Sequence, residues 1–234
     1  MEDKFLEVAK AYPGMVNQVG AYKKFLLWGN HHDQVEIGLD KVWEKNADIN
    51  FPVFDSMGDR LLGSVHEMPM YEDKAVIIVG RGESLMKSWE MLREVDDRFI
   101  IVATNSTVGF LLERDIVPDY MICIDGRQSV GHWTLEGLPE TAKDVVGLFA
   151  AGVDPLALKQ WPGKVRVLPY GVFTDETKAK VEERWGEPLS AGGNAFNGAV
   201  GAFMLCSAIK IFTFVGNNLS YKKQHYGDSK TTRD

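Results

Sequence analysis

The chain is poor in cysteine, carries no excess of positive charge and has no long unbroken apolar run. Two cysteines among 234 residues exclude a small scaffold held together by disulfides. Cys123 and Cys206 each sit inside an apolar stretch, where a free thiol behaves as a small hydrophobe. Acidic residues number 33 against 26 basic, a net of −7. That balance argues against broad attraction to a phosphodiester backbone, so no nucleic-acid partner is expected. The most apolar segment, 195–215, is broken by Asn197, Lys210 and several glycines, so no membrane span is expected. Met1-Glu2-Asp3-Lys4 is charged where a secretory leader is apolar, and a cytoplasmic location is the resulting expectation. What is present is an ordinary core-forming mixture, 45% hydrophobic and 25% charged, which excludes a disordered chain.

Two regions read differently. Residues 1–70 are read as a small N-terminal helical or mixed appendage. Helical patterns over 5–11 and 16–28 are followed by breaks at Pro13-Gly14, Gly29-Asn30, Pro52, Gly58 and Gly63. Residues 74–230 alternate regularly. Apolar runs at 75–79, 99–103, 120–124, 145–149, 165–168 and 211–215 read as strands, the first of them as a strand covered on both faces. Helical spacing follows at 85–95, 108–114, 174–185 and 195–208. The alternation predicts an α/β fold, a Rossmann-like, mostly parallel sheet with helices on both faces. In such sheets ligands bind beyond the C-terminal strand ends, which directs attention to the segments that leave each strand.

Gly80-Arg81-Gly82-Glu83-Ser84 leaves the first of these strands. Its glycines let backbone amides approach an anion at a helix start, and Ser84 is placed to cap that helix. The same glycines also suit a tight βα turn without a ligand. Leu85 stands where a dinucleotide fingerprint needs its third glycine, and Thr104-Asn105 offers no carboxylate for a ribose; both argue against an NAD site. No phosphate-loop Gly-Lys-Ser/Thr is present either.

Asp125 closes the run at 120–124. At a strand end a carboxylate can hold Mg²⁺ on a phosphate chain, bond a ribose or base, or merely cap a turn with Gly126. Asp119 is read as fixing the turn into that strand, and Arg127 is a further phosphate candidate. Ser190-Ala191-Gly192-Gly193-Asn194 enters a helix rich in small residues, a second place where amides and a polar cap converge. Gly216-Asn217-Asn218-Leu219-Ser220-Tyr221 leaves the last strand, with His225 beyond it as a candidate base or a ligand for a phosphate or metal. His31-His32-Asp33 is read as a surface cluster, since adjacent side chains rarely converge on one metal.

Taken in order, these segments resemble the 6-hydroxymethylpterin diphosphokinase MptE-like family. They are Gly80–Leu85, Thr104-Asn105, Pro118-Asp119-Tyr120 to Asp125, Ser190–Asn194, and Gly216-x-x-Leu-x-Tyr with a downstream His. The layout is also similar to motility accessory factors, associated with flagellin glycosylation, and to a family of bacterial sialyltransferases. The resemblance implies nucleotide-dependent transfer to a small-molecule acceptor. One form moves diphosphate from ATP with Mg²⁺ to a hydroxymethylpterin; the other moves a sugar from a CMP-linked donor. It implies that Gly80, Gly82, Ser84, Asn105, Gly192, Gly193, Asn194, Asn217, Asn218 and Tyr221 border the nucleotide. Asp125, as catalytic residue and metal ligand, and His225 would carry the chemistry. The chain departs from the family pattern at Glu83, Met86 and Asn218, where Pro, Asp and Asp are frequent. Glu83 is expected to face solvent, and the two missing carboxylates keep a non-catalytic nucleotide- or sugar-binding module as an alternative.

Overall fold

The computed structural model describes residues 39–126, 134–171, 173–189 and 194–217. Seven strands are present among them: β1 (Leu61–Ser64), β2 (Ala75–Val79), β3 (Phe99–Thr104), β4 (Tyr120–Cys123), β5 (Val146–Ala150), β6 (Val165–Leu168) and β7 (Phe212–Val215). They form one sheet in the order β1-β6-β5-β4-β3-β2-β7, and every pairing is parallel. The helices are α1 (Leu39–Asp55), α2 (Leu85–Ser88), α3 (Asn105–Leu112), α4 (Pro155–Gln160), α5 (Asp175–Trp185) and α6 (Ala195–Cys206). This is the α/β architecture that the alternating pattern predicts.

The strands form where the apolar runs are. Beyond their first residues, β2, β3 and β5 are buried at every position, as is all of β4. Successive side chains point to opposite faces, so both faces of the sheet are covered over these central strands, whereas the edge strand β7 stays partly exposed. Asp119 does what its position suggests: its carboxylate accepts the Ile101 amide at 2.8 Å, pinning the entry of β4 to β3. Thr174 caps α5 by accepting from the Thr177 amide, and Asn194 caps α6 by accepting from the Asn197 amide at 2.9 Å.

Three elements differ from the sequence reading. Leu61–Ser64 falls in the segment assigned to the appendage, yet it pairs with β6 as an edge strand of the same sheet. Two leucines followed by Gly63 and Ser64 make too short a run to read as a strand. α1 continues through Pro52, read as a break, to Asp55. Trp43, Ala47, Asn50 and Phe54 bury one face of it, and that packing outweighs the single backbone bond Pro52 removes. The helix expected over 85–95 is one α-turn followed by 3₁₀ turns over Trp89–Glu94. Ser88 Oγ donates to the Ser84 carbonyl at 2.9 Å, a local bond that competes with the helical ladder. The patterns at 5–11 and 16–28 and the His31-His32-Asp33 cluster lie outside the described residues.

Beneath β4, the Tyr71 and Tyr120 hydroxyls share a hydrogen bond of 2.7 Å. Burial pushes the Tyr120 phenol well above its ordinary value, and the bond and negative charge of Tyr71 add to it, with a smaller contribution from Asp119. A raised native value means that this stabilisation is complete below the ordinary phenol pKa of about 10 and is lost as the pH rises past it. The melting temperature should therefore fall more steeply above about pH 10 in the parent than in Tyr120→Phe. Parallel slopes in circular-dichroism melts would contradict this.

Candidate functional site

The sheet order places the crevice. β2 lies between β3 on one side and β7 on the other, so the strand order reverses there, the usual place for a ligand in an open α/β sheet. The registers bring the C-terminal ends level: Val79 pairs with both Ala103 and Val215, and Thr104 with Ile122. The segments at 80–84, 104–106, 124–126 and 216–217 therefore leave one edge side by side.

The first glycine loop is built from its neighbours. Gly80 donates its amide to Val215 O at 2.8 Å, and Gly82 donates to Gly216 O at 2.7 Å. These two amides are the ones expected to approach an anion; here they tie the loop to the end of β7. A Cβ on Gly80 would clash with the Phe196 ring, 2.2 Å from Cζ and 2.4 Å from Cε2, with Gly216 O only 3.1 Å away. Gly80 thus has no side chain because an aromatic from the first turn of α6 lies on its Cα. Phe196 in turn stacks on Phe214 of β7, ring centroids 5.9 Å apart. Ser84 makes no side-chain cap bond to α2, which is a single turn, so no helix dipole of consequence points from this loop. Glu83 is exposed, as expected.

The second glycine loop cannot be followed, since Gly192 and Gly193 lie outside the described residues. Its last residue can. Asn194 caps α6 one residue before Ala195 and two before Phe196, so the α6 N-terminus lies beside the Gly80 loop. On the opposite flank α3 starts directly from β3. Asn105 is buried there and donates to Thr134 Oγ1 at 2.9 Å. Thr104 Oγ1 lies 3.1 Å from Ser106 Oγ and 2.8 Å from Thr107 Oγ1. Arg81 reaches across and donates to Ser106 O at 2.7 Å. Together these bonds and the Phe196 contact gather the ends of β2, β3 and β7 and the start of α6 at the place where the strand order reverses. The full helix starts that flank it are those of α3 and α6.

Asp125 sits half-buried at the end of β4, and its carbonyl accepts the Asp154 amide at 3.0 Å. Burial, then the charge of Asp125, pushes the Cys123 thiol far above its usual range. Cys123 is therefore an inert core thiol. Beyond Asp125 the edge is closed. Trp43 of α1 packs its ring on the Gly126 Cα, edge-on to Tyr170 with ring centroids 5.4 Å apart. Asn217 is exposed at the end of β7. Arg127, Ser190, Asn218, Tyr221 and His225 lie outside the described residues. Among the described residues no three His, Cys, Asp or Glu side chains gather to hold a metal ion, and no helix is long and apolar enough to cross a membrane.

Sequence reasoning passed over Phe196, Arg81 and α1. Phe196 was detectable as the one large ring in the first turn of a small-residue helix. Trp43, Asn46 and Asn50 recur at helical spacing, but buried asparagines do not register as an apolar stripe.

A model of the family described as 6-hydroxymethylpterin diphosphokinase MptE-like matches residues 54–224 of the 234. The chain belongs to the MptE-like family. The match takes in β1 to β7 and leaves most of α1 outside it. Among solved structures the fold is similar to a MAf glycosyltransferase from Magnetospirillum magneticum AMB-1, with a TM-score of 0.52 and 18% identity. That similarity covers 67% of this chain and 24% of the glycosyltransferase, so the chain corresponds to about a quarter of that protein's length. No curated protein matches the chain.

Proposed function

We propose that the chain is a nucleotide-dependent transferase that moves diphosphate from ATP to a hydroxymethylpterin-type acceptor. The observation that carries this reading is the strand-order reversal itself, where the ends of β2, β3 and β7 meet the α6 start, the usual place for a ligand in an open α/β sheet. Membership of a family described by that diphosphokinase supports it. In this reaction the acceptor's hydroxymethyl oxygen attacks the β-phosphorus of ATP. The bond from that phosphorus to the oxygen bridging the α-phosphorus breaks, AMP leaves, and the hydroxyl proton passes to a base. Asn194 and the α3 start, with their amides, orient the phosphates at the opening. Asp125 stands at its mouth, and His225 is the proposed proton acceptor. Catalysis here is chiefly positioning and charge stabilisation.

Mg²⁺ commonly takes one or two carboxylates and fills its remaining positions with phosphates and water. A half-buried carboxylate at a strand end meets that demand, so Asp125 is the residue that would hold it. The ion would neutralise charge on the phosphates.

A second reading is glycosyl transfer from a CMP-sugar, favoured by the fold shared with the MAf glycosyltransferase; the carboxylates replaced at Met86 and Asn218 favour a non-catalytic binding module instead. The two readings release different nucleotides. Incubation with ATP, Mg²⁺ and hydroxymethyl-dihydropterin should yield AMP, and incubation with a CMP-sugar and a sugar acceptor should yield no CMP. CMP release alone would establish the second reading. Nucleotide binding in calorimetry without release of either would mark a non-catalytic binding module.

A further inference from the structure

Most of α1 lies outside the family match, yet it is built into the sheet's C-terminal edge. Trp43, Asn46, Asn50 and Phe54 follow helical spacing and are all buried, so one face of α1 is turned onto the sheet. Two of these four are asparagines, and a buried amide persists only where it finds partners. Asn46 Nδ2 donates to Gly126 O at 2.8 Å and to Gly152 O at 3.2 Å. Asn50 Nδ2 donates to Ala151 O at 3.0 Å and to Val153 O at 2.8 Å. Asn46 therefore ties the loop after β4 to the loop after β5, and its bond lands one residue beyond Asp125.

The other side of that tie is equally firm. The Asp125 carbonyl accepts the Asp154 amide, and Asp154 is wholly buried, with Oδ1 accepting the Leu156 amide at 3.1 Å. Two successive carbonyls, those of Asp125 and Gly126, are thus held by two different elements. The Trp43 ring leaves no room for a side chain at Gly126, so the loop cannot drift toward α1.

We infer that Asn46 is a positioning residue that aims the Asp125 carboxylate into the opening by holding the Gly126 and Gly152 carbonyls. The inference rests on the reading of Asp125 as the group that meets a Mg²⁺-nucleotide. Its consequence is that α1 is part of the site rather than an addition to it.

The test uses the full chain and two readouts: calorimetric titration with ATP, with and without Mg²⁺, and hydrogen exchange of the 124–126 amides without ligand. Asn46→Ala should weaken Mg²⁺-ATP binding about tenfold, the usual scale for losing an outer partner of a metal-site ligand. It should leave metal-free ATP binding unchanged and speed exchange at 124–126. Asn46→Ser, which keeps one donor, should fall between Asn46→Ala and the parent. Arg60→Ala is the control for lost stability alone. It removes a guanidinium bonded to the Trp161 and Gly163 carbonyls, away from Asp125. It should lower the melting temperature and move neither readout. In an Asp125→Asn background, Asn46→Ala should weaken binding no further. Equal Mg²⁺-ATP affinities in Asn46→Ala and Arg60→Ala, with active parent protein, would overturn the inference. A parent chain that binds no nucleotide would overturn the proposed function and this role with it, and the exchange data, read without ligand, would tell the two failures apart.

Discussion

Gly216→Ala should lower the melting temperature by about 6–12 °C, the largest effect on stability expected from a one-carbon change at the site. Gly216 has φ of +71°, in the left-handed region that costs an L-residue about 1–2 kcal/mol. A Cβ there would also fall on the Gly80 carbonyl, 2.8 Å from its carbon and 3.1 Å from Leu85 Cβ. Both Gly80 atoms are backbone, fixed by the Gly80–Val215 and Gly82–Gly216 bonds, so they cannot yield as a side chain would. Overpacking of that kind adds about 1–3 kcal/mol, giving roughly 3 kcal/mol in all, or about 2–4 °C for each in a chain of this size. Gly80→Ala is the informative comparison. Its clash is with the Phe196 ring, which can swing aside, so Gly80→Ala with Phe196→Ala should recover part of the loss that Gly80→Ala alone incurs. A melt of Gly216→Ala within about 1 °C of the parent would mean that the β2 and β7 ends do not meet as described.

Asp125→Asn should reduce nucleotide release by about 10²–10³-fold, the range for removing one preorganised electrostatic group from a transfer site. The change keeps the size of the side chain and leaves untouched the main-chain bond to Asp154. The loss should therefore appear in kcat with Mg²⁺ present, and Asp125→Asn should show little of the parent's gain in ATP affinity on adding the ion. Turnover within about twofold of the parent would remove Asp125 from the chemistry and move attention to residues beyond β7.

Strands were the most legible part of the sequence because their signal is local. β2 to β5 are nearly continuous apolar runs, and such a run followed by helical spacing reads as a strand; β6 carries Arg166 and the exposed edge strand β7 carries Thr213, yet both keep enough apolar residues to register. Leu61–Ser64 offers only two leucines, and its place at the sheet edge comes from pairing with β6, a contact across about a hundred residues that no local pattern encodes. α1 was hidden for a different reason. Its buried face sets Asn46 and Asn50 between Trp43 and Phe54, and the partners of the two asparagines are loop carbonyls from the other half of the chain.

At the strand ends the sequence marks glycines but not the cause of each. A glycine after a strand signals that something approaches closely. At Gly80 that something is Phe196, a ring of the protein itself, and at Gly216 it is the Gly80 carbonyl. The helix start expected at Ser84 is a single turn, whereas Asn105 begins an eight-residue helix that periodicity placed three residues later. The polar Thr104-Asn105 pair, noted for its lack of a carboxylate, marks that start.

The central claim is that a nucleotide is held at the strand-order reversal. The most direct measurement is a crystal structure of the full chain with Mg²⁺ and a non-hydrolysable ATP analogue. The account predicts phosphate density between Asn105 and Asn194, with Asp125 facing it across the opening. Density instead in the open cleft between α1 and α5, lined by Phe51, Lys180, Glu183 and Arg184, or none at saturating analogue, would contradict it.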